Sequence, residues 1–217
     1  MTLAQQLWEQ HRDLADACLL HPFVQGLGDG SLSQARYRYY IAQDAFYLEA
    51  FARAYTLAGA KAPDWEGFRE LHALAGGVLH ELTLHTSVAA ELGIDLRAVQ
   101  VGNATRRYTD FLLATAWGQS TGTTAVAMAP CMRLYAYIGQ QLAQLAQSIP
   151  STQPTRSSHA YSAWIATYNS PEFEALAQQL EQLIERYAPA AVALDQTYRY
   201  AMQCEYDFFQ AAWEQGA

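Results

Sequence analysis

Three observations predict an all-α fold. Apolar residues recur at three- and four-residue intervals along most of the 217-residue chain. Alternating Val/Ile/Thr runs and Asn-Gly turns, the marks of strands and hairpins, are scarce. Prolines fall between or at the start of periodic segments, where a missing amide donor costs least, with Pro130 as the exception.

The spacing predicts helices over 2–20, 33–60, 67–92, 103–117, 122–147, 157–168, 171–187 and 189–214. Pro63 separates the second from the third, and Pro171 and Pro189 stand at the starts of the last two. The polar, proline-containing stretch SIPSTQPTRSS at 148–158, with Pro150 and Pro154, is expected to be a loop too short to link domains. No internal repeat or low-complexity tract interrupts this order. About half the residues are hydrophobic (51%), enough for one domain spanning 1–217 with a sizeable core.

Charge and composition exclude several classes of partner. A net charge of -8 without any Lys/Arg run argues against nucleic acid and anionic lipid. No apolar run reaches membrane-spanning length and none has the flanks of a signal peptide, so a cytoplasmic location is expected. The three cysteines, Cys18, Cys131 and Cys204, lack CxxC spacing and suit free thiols in a reducing compartment.

Pro130-Cys131 in AVAMAPCMRLYAYIG places a potential nucleophile and the Tyr135 hydroxyl on one helical face. The proline should kink or restart its helix, and a restart would put Cys131 in a first turn, where free amides favour a thiolate. The alternative is a small buried hydrophobe, which is the reading for Cys18 and Cys204. Asp44 shares its face with Tyr40, Tyr47 and Phe51, at i-4, i+3 and i+7. It reads either as a ligand for an amine beside stacking rings or as a core aspartate satisfied by a tyrosine or a helix amide. Glu205 has Tyr198, Met202, Phe208 and Phe209 at helical offsets, where desolvation should keep it protonated near neutrality, as a general acid requires. An ion pair with a distant arginine is the competing account. Among the fourteen tyrosines, Tyr108 opens YTDFLL, and Tyr161 and Tyr168 share a face with Trp164 as core or pocket lining.

These stretches, in their order, resemble the TenA/thiaminase II family of the heme-oxygenase-like helical bundle fold. The resemblance runs from HPFVQGLGDGSLSQARYRYYIAQDAFYL at 21–48 through HELTLHTSVAAELGI at 80–94 and PCMRLYAYIG at 130–139 to WIATYNSPEF at 164–173 and the Glu205 segment. It implies Cys131 as nucleophile, Glu205 as acid, and Asp44 as the group binding the amine and ring nitrogen of an aminopyrimidine. Tyr47, Tyr108, Tyr135 and Tyr168 are implied as substrate-binding residues.

The implied reaction is hydrolysis of amino-aminomethyl-methylpyrimidine or thiamin to hydroxymethylpyrimidine by covalent cysteine catalysis, in thiamin salvage. The resemblance also implies no cofactor, no metal, and a homotetramer. Two alternatives stand beside it. One is a di-iron or other metal-dependent oxidase on the same scaffold, resting on His72, His80, Glu81 and His85, with Glu81 and His85 at i, i+4. Without a metal, these histidines would pair with core carboxylates or face solvent. The other is a non-catalytic pyrimidine-binding or regulatory protein that would need Asp44 and the aromatics but not Cys131.

Overall fold

The computed structural model describes residues 1–148, 159–189 and 193–216. Among these lie ten helices: α1 (Leu3–Gln10), α2 (Arg12–Leu19), α3 (Pro22–Asp29), α4 (Gln34–Ala60), α5 (Trp65–Glu91), α6 (Asn103–Gly118), α7 (Thr121–Ser148), α8 (Ser162–Tyr168), α9 (Pro171–Tyr187) and α10 (Ala193–Gln215). No strand occurs among the described residues, as the sequence predicts. Most of the expected loop at 148–158 and the first two residues of the helix expected at 157–168 lie outside the described residues.

Local chemistry sets most boundaries. Ser33 caps α4 by accepting from the Arg36 amide, Asp64 caps α5 by accepting from Gly67, and Ser170 caps α9 ahead of Pro171. The helix predicted over 2–20 divides at His11. Nothing in the local sequence breaks it; the cause is tertiary. The buried His11 ring donates from Nε2 to Asp195 at 2.9 Å and accepts at Nδ1 from Arg199 at 3.3 Å, which ties this turn to α10. A further helix, α3, was absent from the predicted set. His21 caps it through Nδ1, Pro22 starts it, and Gly30 ends it at φ 79°, a left-handed conformation that suits glycine.

The helix containing Pro130 neither breaks nor restarts: α7 runs through it from Thr121 to Ser148. Pro130 costs one backbone bond, that of the Val126 carbonyl, inside a helix whose neighbours on both sides are buried. Cys131 therefore sits in mid-helix, not at a positive helix end.

The arrangement places α4 at the centre, packed on α5, α6, α7 and α10. Residues 40–48 of α4 are buried except for Phe46, so both faces of this segment meet other helices. α10 buries a stripe of Tyr198, Ala201, Met202, Glu205, Phe208, Phe209 and Ala212, with the carboxyl at its midpoint. Each fully buried Leu or Phe of the surrounding core contributes roughly 1.5–3 kcal/mol, which offsets the cost of enclosing such a polar group. α7 and the end of α8 pack backbone to backbone. A Cβ on Gly139 would lie 2.5 Å from the Tyr168 carbonyl carbon, so glycine is required there and Tyr168 is brought against Tyr135.

Candidate active site

Six helices deliver side chains to one cluster where α4, α7 and α10 meet. α4 supplies Tyr40, Asp44 and Tyr47; α5 supplies Glu81 and His85; α6 supplies Tyr108; α7 supplies Cys131 and Tyr135; α8 supplies Trp164 and Tyr168; α10 supplies Glu205. Asp44 is 8% exposed and Glu205 2%, while Cys131, Tyr168 and Glu81 keep partial exposure although protein surrounds them. The shallow groove bounded by Arg106, Arg107, Phe111 and Tyr200 lies on the outer side of α6 and contains none of these groups.

The polar contacts form two connected sets. In the first, the Tyr108 hydroxyl donates to Glu205 Oε1 at 2.7 Å, and the Tyr47 hydroxyl stands 3.5 Å from that of Tyr108. Tyr47 and Glu205 are also the polar neighbours that act on the Cys131 thiol. At 3.5 Å the tyrosine pair is weak. In the second set, His85 donates from Nε2 to the Ile41 carbonyl at 2.7 Å. This fixes the ring so that Nδ1 faces Asp44 Oδ2 at 3.5 Å. Tyr40 connects Tyr135 and Trp164 to the same wall, with both contacts at 3.3 Å.

Aromatic rings close the space around these groups. Tyr135 meets Tyr168 and Trp164 at centroid distances of 4.9 and 5.7 Å, and Tyr47 meets Tyr108 at 4.9 Å. Such walls offer π-faces to a flat heterocycle.

Burial governs the electrostatics. It raises Glu205 to about 8, opposed by hydrogen bonds from Tyr108 and Cys131 and assisted by Asp44. Burial also raises Asp44, but here His85 pulls the other way. The Cys131 thiol is pushed well above its ordinary value by burial and then by Glu205, while the Tyr47 hydroxyl counters in part. The expected thiolate in a helical first turn is therefore overturned: the dipole end is absent and the resting sulfur keeps its proton. Three acids and one imidazole around a neutral thiol make a pocket suited to a cation or an amine-bearing ring.

The structure brings together all seven residues singled out in the sequence: Asp44, Tyr47, Tyr108, Cys131, Tyr135, Tyr168 and Glu205. Cys18 and Cys204 are buried elsewhere as small apolar groups. The arginine partner weighed for Glu205 is replaced by a tyrosine and a thiol. Tyr161 donates to the Leu32 carbonyl at 2.7 Å and serves packing. The metal alternative finds no support, because His72 and His80 are exposed while His85 turns to Asp44. Among the described residues no group of three or more His, Cys, Asp or Glu is arranged to hold a metal ion.

Sequence reasoning missed the polar link from Trp164 to Tyr40 and the place of Gln43. The amide of Gln43 accepts from Gly102 and Thr105, each at 2.8 Å, and so pins the start of α6 beside Asp44. A polar residue adjacent to the candidate aspartate in a buried helix was the available signal.

The sequence profile of the TENA/THI-4/PQQC family matches residues 8–215. A bifunctional TH2 protein of Arabidopsis thaliana is 33% identical over 96% of this chain, which spans only 37% of that longer protein. An aminopyrimidine aminohydrolase of Halalkalibacterium halodurans is 33% identical over 87% of this chain and 83% of its own length. A TenA homologue from P. horikoshii superposes with a TM-score of 0.89, at 24% identity and full coverage of both chains. A Shewanella denitrificans domain with a heme oxygenase-like fold superposes at 0.74, with 15% identity over 97% of this chain and 92% of its own. Profile, relatives and architecture agree, and the chain belongs to the TENA/THI-4/PQQC family, with a heme-oxygenase-like all-α fold.

Proposed function

We propose that this protein is an aminopyrimidine hydrolase of thiamin salvage, acting as a single helical domain through covalent catalysis by Cys131. The observation that carries this reading is the meeting of Asp44, Cys131 and Glu205 within one aromatic-walled pocket. The name of the bacterial relative, aminopyrimidine aminohydrolase, points to the same chemistry.

Each group has a role that its environment supports. Asp44, held by His85, accepts hydrogen bonds from the exocyclic amine and ring nitrogen of the pyrimidine. Tyr47, Tyr108, Tyr135 and Tyr168 hold the ring by its faces and edges. A pyrimidine is a poor electrophile until its ring nitrogen gains a proton, and Glu205, protonated up to about pH 8, is the donor. As the proton passes to nitrogen, the Glu205 carboxylate accepts the Cys131 proton, and the sulfur bonds to the adjacent ring carbon. One neighbouring carboxyl thus serves both transfers, so no standing thiolate is needed.

With aromaticity interrupted, electrons from the exocyclic amine expel the group on the methylene carbon as ammonia or as thiazole. Water adds at the methylene, the carbon–sulfur bond breaks, and hydroxymethylpyrimidine leaves. These residues complete the cycle without a metal or organic cofactor.

The homotetramer that the resemblance implies is part of this reading. Free cysteines throughout the chain support a reducing, cytoplasmic setting. No helix among the described residues is long and apolar enough to cross a membrane. Incubation with a panel of substituted aminopyrimidines and thiamin, with mass detection of products, tests the proposal. Hydroxymethylpyrimidine with stoichiometric ammonia or thiazole is expected; intact substrates after prolonged incubation would refute it.

A further inference from the structure

Gln43 is a buried polar residue that the steps above leave unused. It is 3% exposed and spends its amide on the segment that leads into α6. Its oxygen accepts from the Gly102 amide and the Thr105 hydroxyl, each at 2.8 Å, and its nitrogen donates to the Gln100 carbonyl at 3.0 Å. An amide oxygen has two lone pairs, and both are taken. No side chain caps α6 at Gly102, so the start of this helix is fastened from α4 instead. The approach is close enough to require glycine: a Cβ on Gly102 would lie 2.6 Å from the Tyr39 hydroxyl and 3.3 Å from Gln43 Oε1.

Tyr47 lies four residues after Gln43 on α4, and Tyr108 three after Thr105 on α6, so each pair shares a helix face one turn apart. Tyr47 and Tyr108 meet with ring centroids 4.9 Å apart, and the Tyr108 hydroxyl continues to Glu205 Oε1 at 2.7 Å. α4 and α6 are therefore joined by two successive rungs, a polar one at Gln43 and an aromatic one at Tyr47. Rings in contact tolerate sliding, whereas hydrogen bonds are directional. The polar rung thus sets how far Tyr108 reaches toward α10. A slip of about 1 Å along the bond from Tyr108 to Glu205 takes it out of hydrogen-bonding range.

We propose that Gln43 is a positioning residue of this site: by fixing the start of α6 on α4, it holds the Tyr108 hydroxyl on the Glu205 carboxyl. The catalytic consequence rests on the aminopyrimidine reading, in which Glu205 is the proton donor; the placement of Tyr108 does not. Gln43 makes its hydrogen bonds to α6 and the segment before it, not to the reacting groups, and so acts through Tyr108. The groups on other helices that act on Glu205 are Asp44 and Tyr47 on α4, Tyr108 on α6, Cys131 and Tyr135 on α7 and Cys18 on α2. Of these, only Tyr108 belongs to the helix that Gln43 fastens. Its bond favours the ionised carboxylate and opposes the burial that raises Glu205 to about 8. Losing the strap therefore has a signature that general loosening does not share. Without the Tyr108 bond Glu205 titrates higher, whereas water entering a loosened site relieves burial and brings it down.

The test reads Glu205 directly. Full-length protein isotopically labelled at the glutamate carboxyl carbons is titrated by NMR without substrate, and Glu205→Gln identifies the signal. Tyr108→Phe sets the scale by removing the bond itself. Gln43→Leu is expected to move the midpoint upward from about 8 by at least about half as much as Tyr108→Phe does. Thr105→Val, which removes one hydroxyl and keeps the shape, should move it the same way by less, and Thr105→Ser, which keeps the hydroxyl, should leave it in place. In the Tyr108→Phe background Gln43→Leu should add nothing, since both act through one bond. A midpoint that falls or stays in place in Gln43→Leu, or in Thr105→Val where Gln43→Leu does not fold, overturns the inference, as does a further rise in the Tyr108→Phe background. The pH profile of kcat on the aminomethyl pyrimidine is a separate arm, in which the alkaline limb should move with the midpoint. A moved midpoint without turnover by the native protein overturns the aminopyrimidine reading and leaves the placement of Tyr108 by Gln43 standing.

Discussion

Asp44 on α4 and Glu205 on α10 are both carboxyls enclosed in mid-helix, 8% and 2% exposed, yet their partners differ in charge. Asp44 faces an imidazole nitrogen at 3.5 Å that becomes a cation on gaining a proton. Glu205 faces only a phenol and a thiol, which donate hydrogen bonds without carrying positive charge. Burial raises both; the imidazole opposes it at Asp44, while at Glu205 neutral donors leave the value near 8. One type of side chain thus meets an opposing imidazole on one wall and only neutral donors on the other, where it keeps its proton to about pH 8. The difference comes from second partners that no local sequence window contains.

The largest effect should come from the wall that carries the chemistry. Cys131→Ser is expected to lower kcat by at least about a thousandfold while pyrimidine binding, measured by calorimetry, stays within a few fold. Loss of binding instead would move Cys131 to the recognition wall and break the contrast.

Glu205→Gln follows, with an expected fall in kcat of about a hundredfold to ten-thousandfold and a modest change in KM. In the native protein the donating form is lost as pH rises through about 8, so kcat should fall on that side, and the variant should lack this limb. On the opposite wall, Asp44→Asn should raise KM by about tenfold or more with a smaller change in kcat, since it removes charged hydrogen bonds to the ground state. A dominant kcat effect at Asp44 would show that recognition and proton transfer are not divided as proposed.

The smallest effect is on stability. A carboxyl whose value in the fold lies above its unfolded value stabilises the protein while protonated. For Glu205 that contribution is fully present below pH 4.5 and is lost as pH rises through about 8. Thermal denaturation across pH 5 to 9 should therefore show the Tm of Glu205→Gln rising relative to the native protein up to about pH 8 and levelling above it, by on the order of 2–4 °C per kcal/mol of the contribution lost. A constant difference across that range would mean that Glu205 is not the buried group that titrates.

How much of this was legible in the sequence depends on the distance over which each feature is determined. α9 runs over the predicted 171–187, and α4, α5, α6 and α7 fall within one or two residues of their predicted spans, because caps and apolar spacing are local. The division at His11 was hidden, since Asp195 and Arg199 cause it from the other end of the chain. α3 was hidden because two glycines interrupt eight residues whose helicity depends on close packing against Leu32 and Leu142. At the site, periodicity around Asp44 and Glu205 identified carboxyls in apolar stripes. It could not pair Asp44 with His85, which lies on another helix. At Pro130 the local rule allows a kink or a restart, and α7 runs through the proline without restarting, held by packing along its length.

The most direct measurement of the central claim is rapid acid quench of the native protein during a single turnover with the aminomethyl pyrimidine, followed by peptide mass analysis. Transient pyrimidine mass on the peptide bearing Cys131, decaying as hydroxymethylpyrimidine forms, is the predicted result. Product formation at full rate with no modification of that peptide, or with the pyrimidine on another residue, would contradict it.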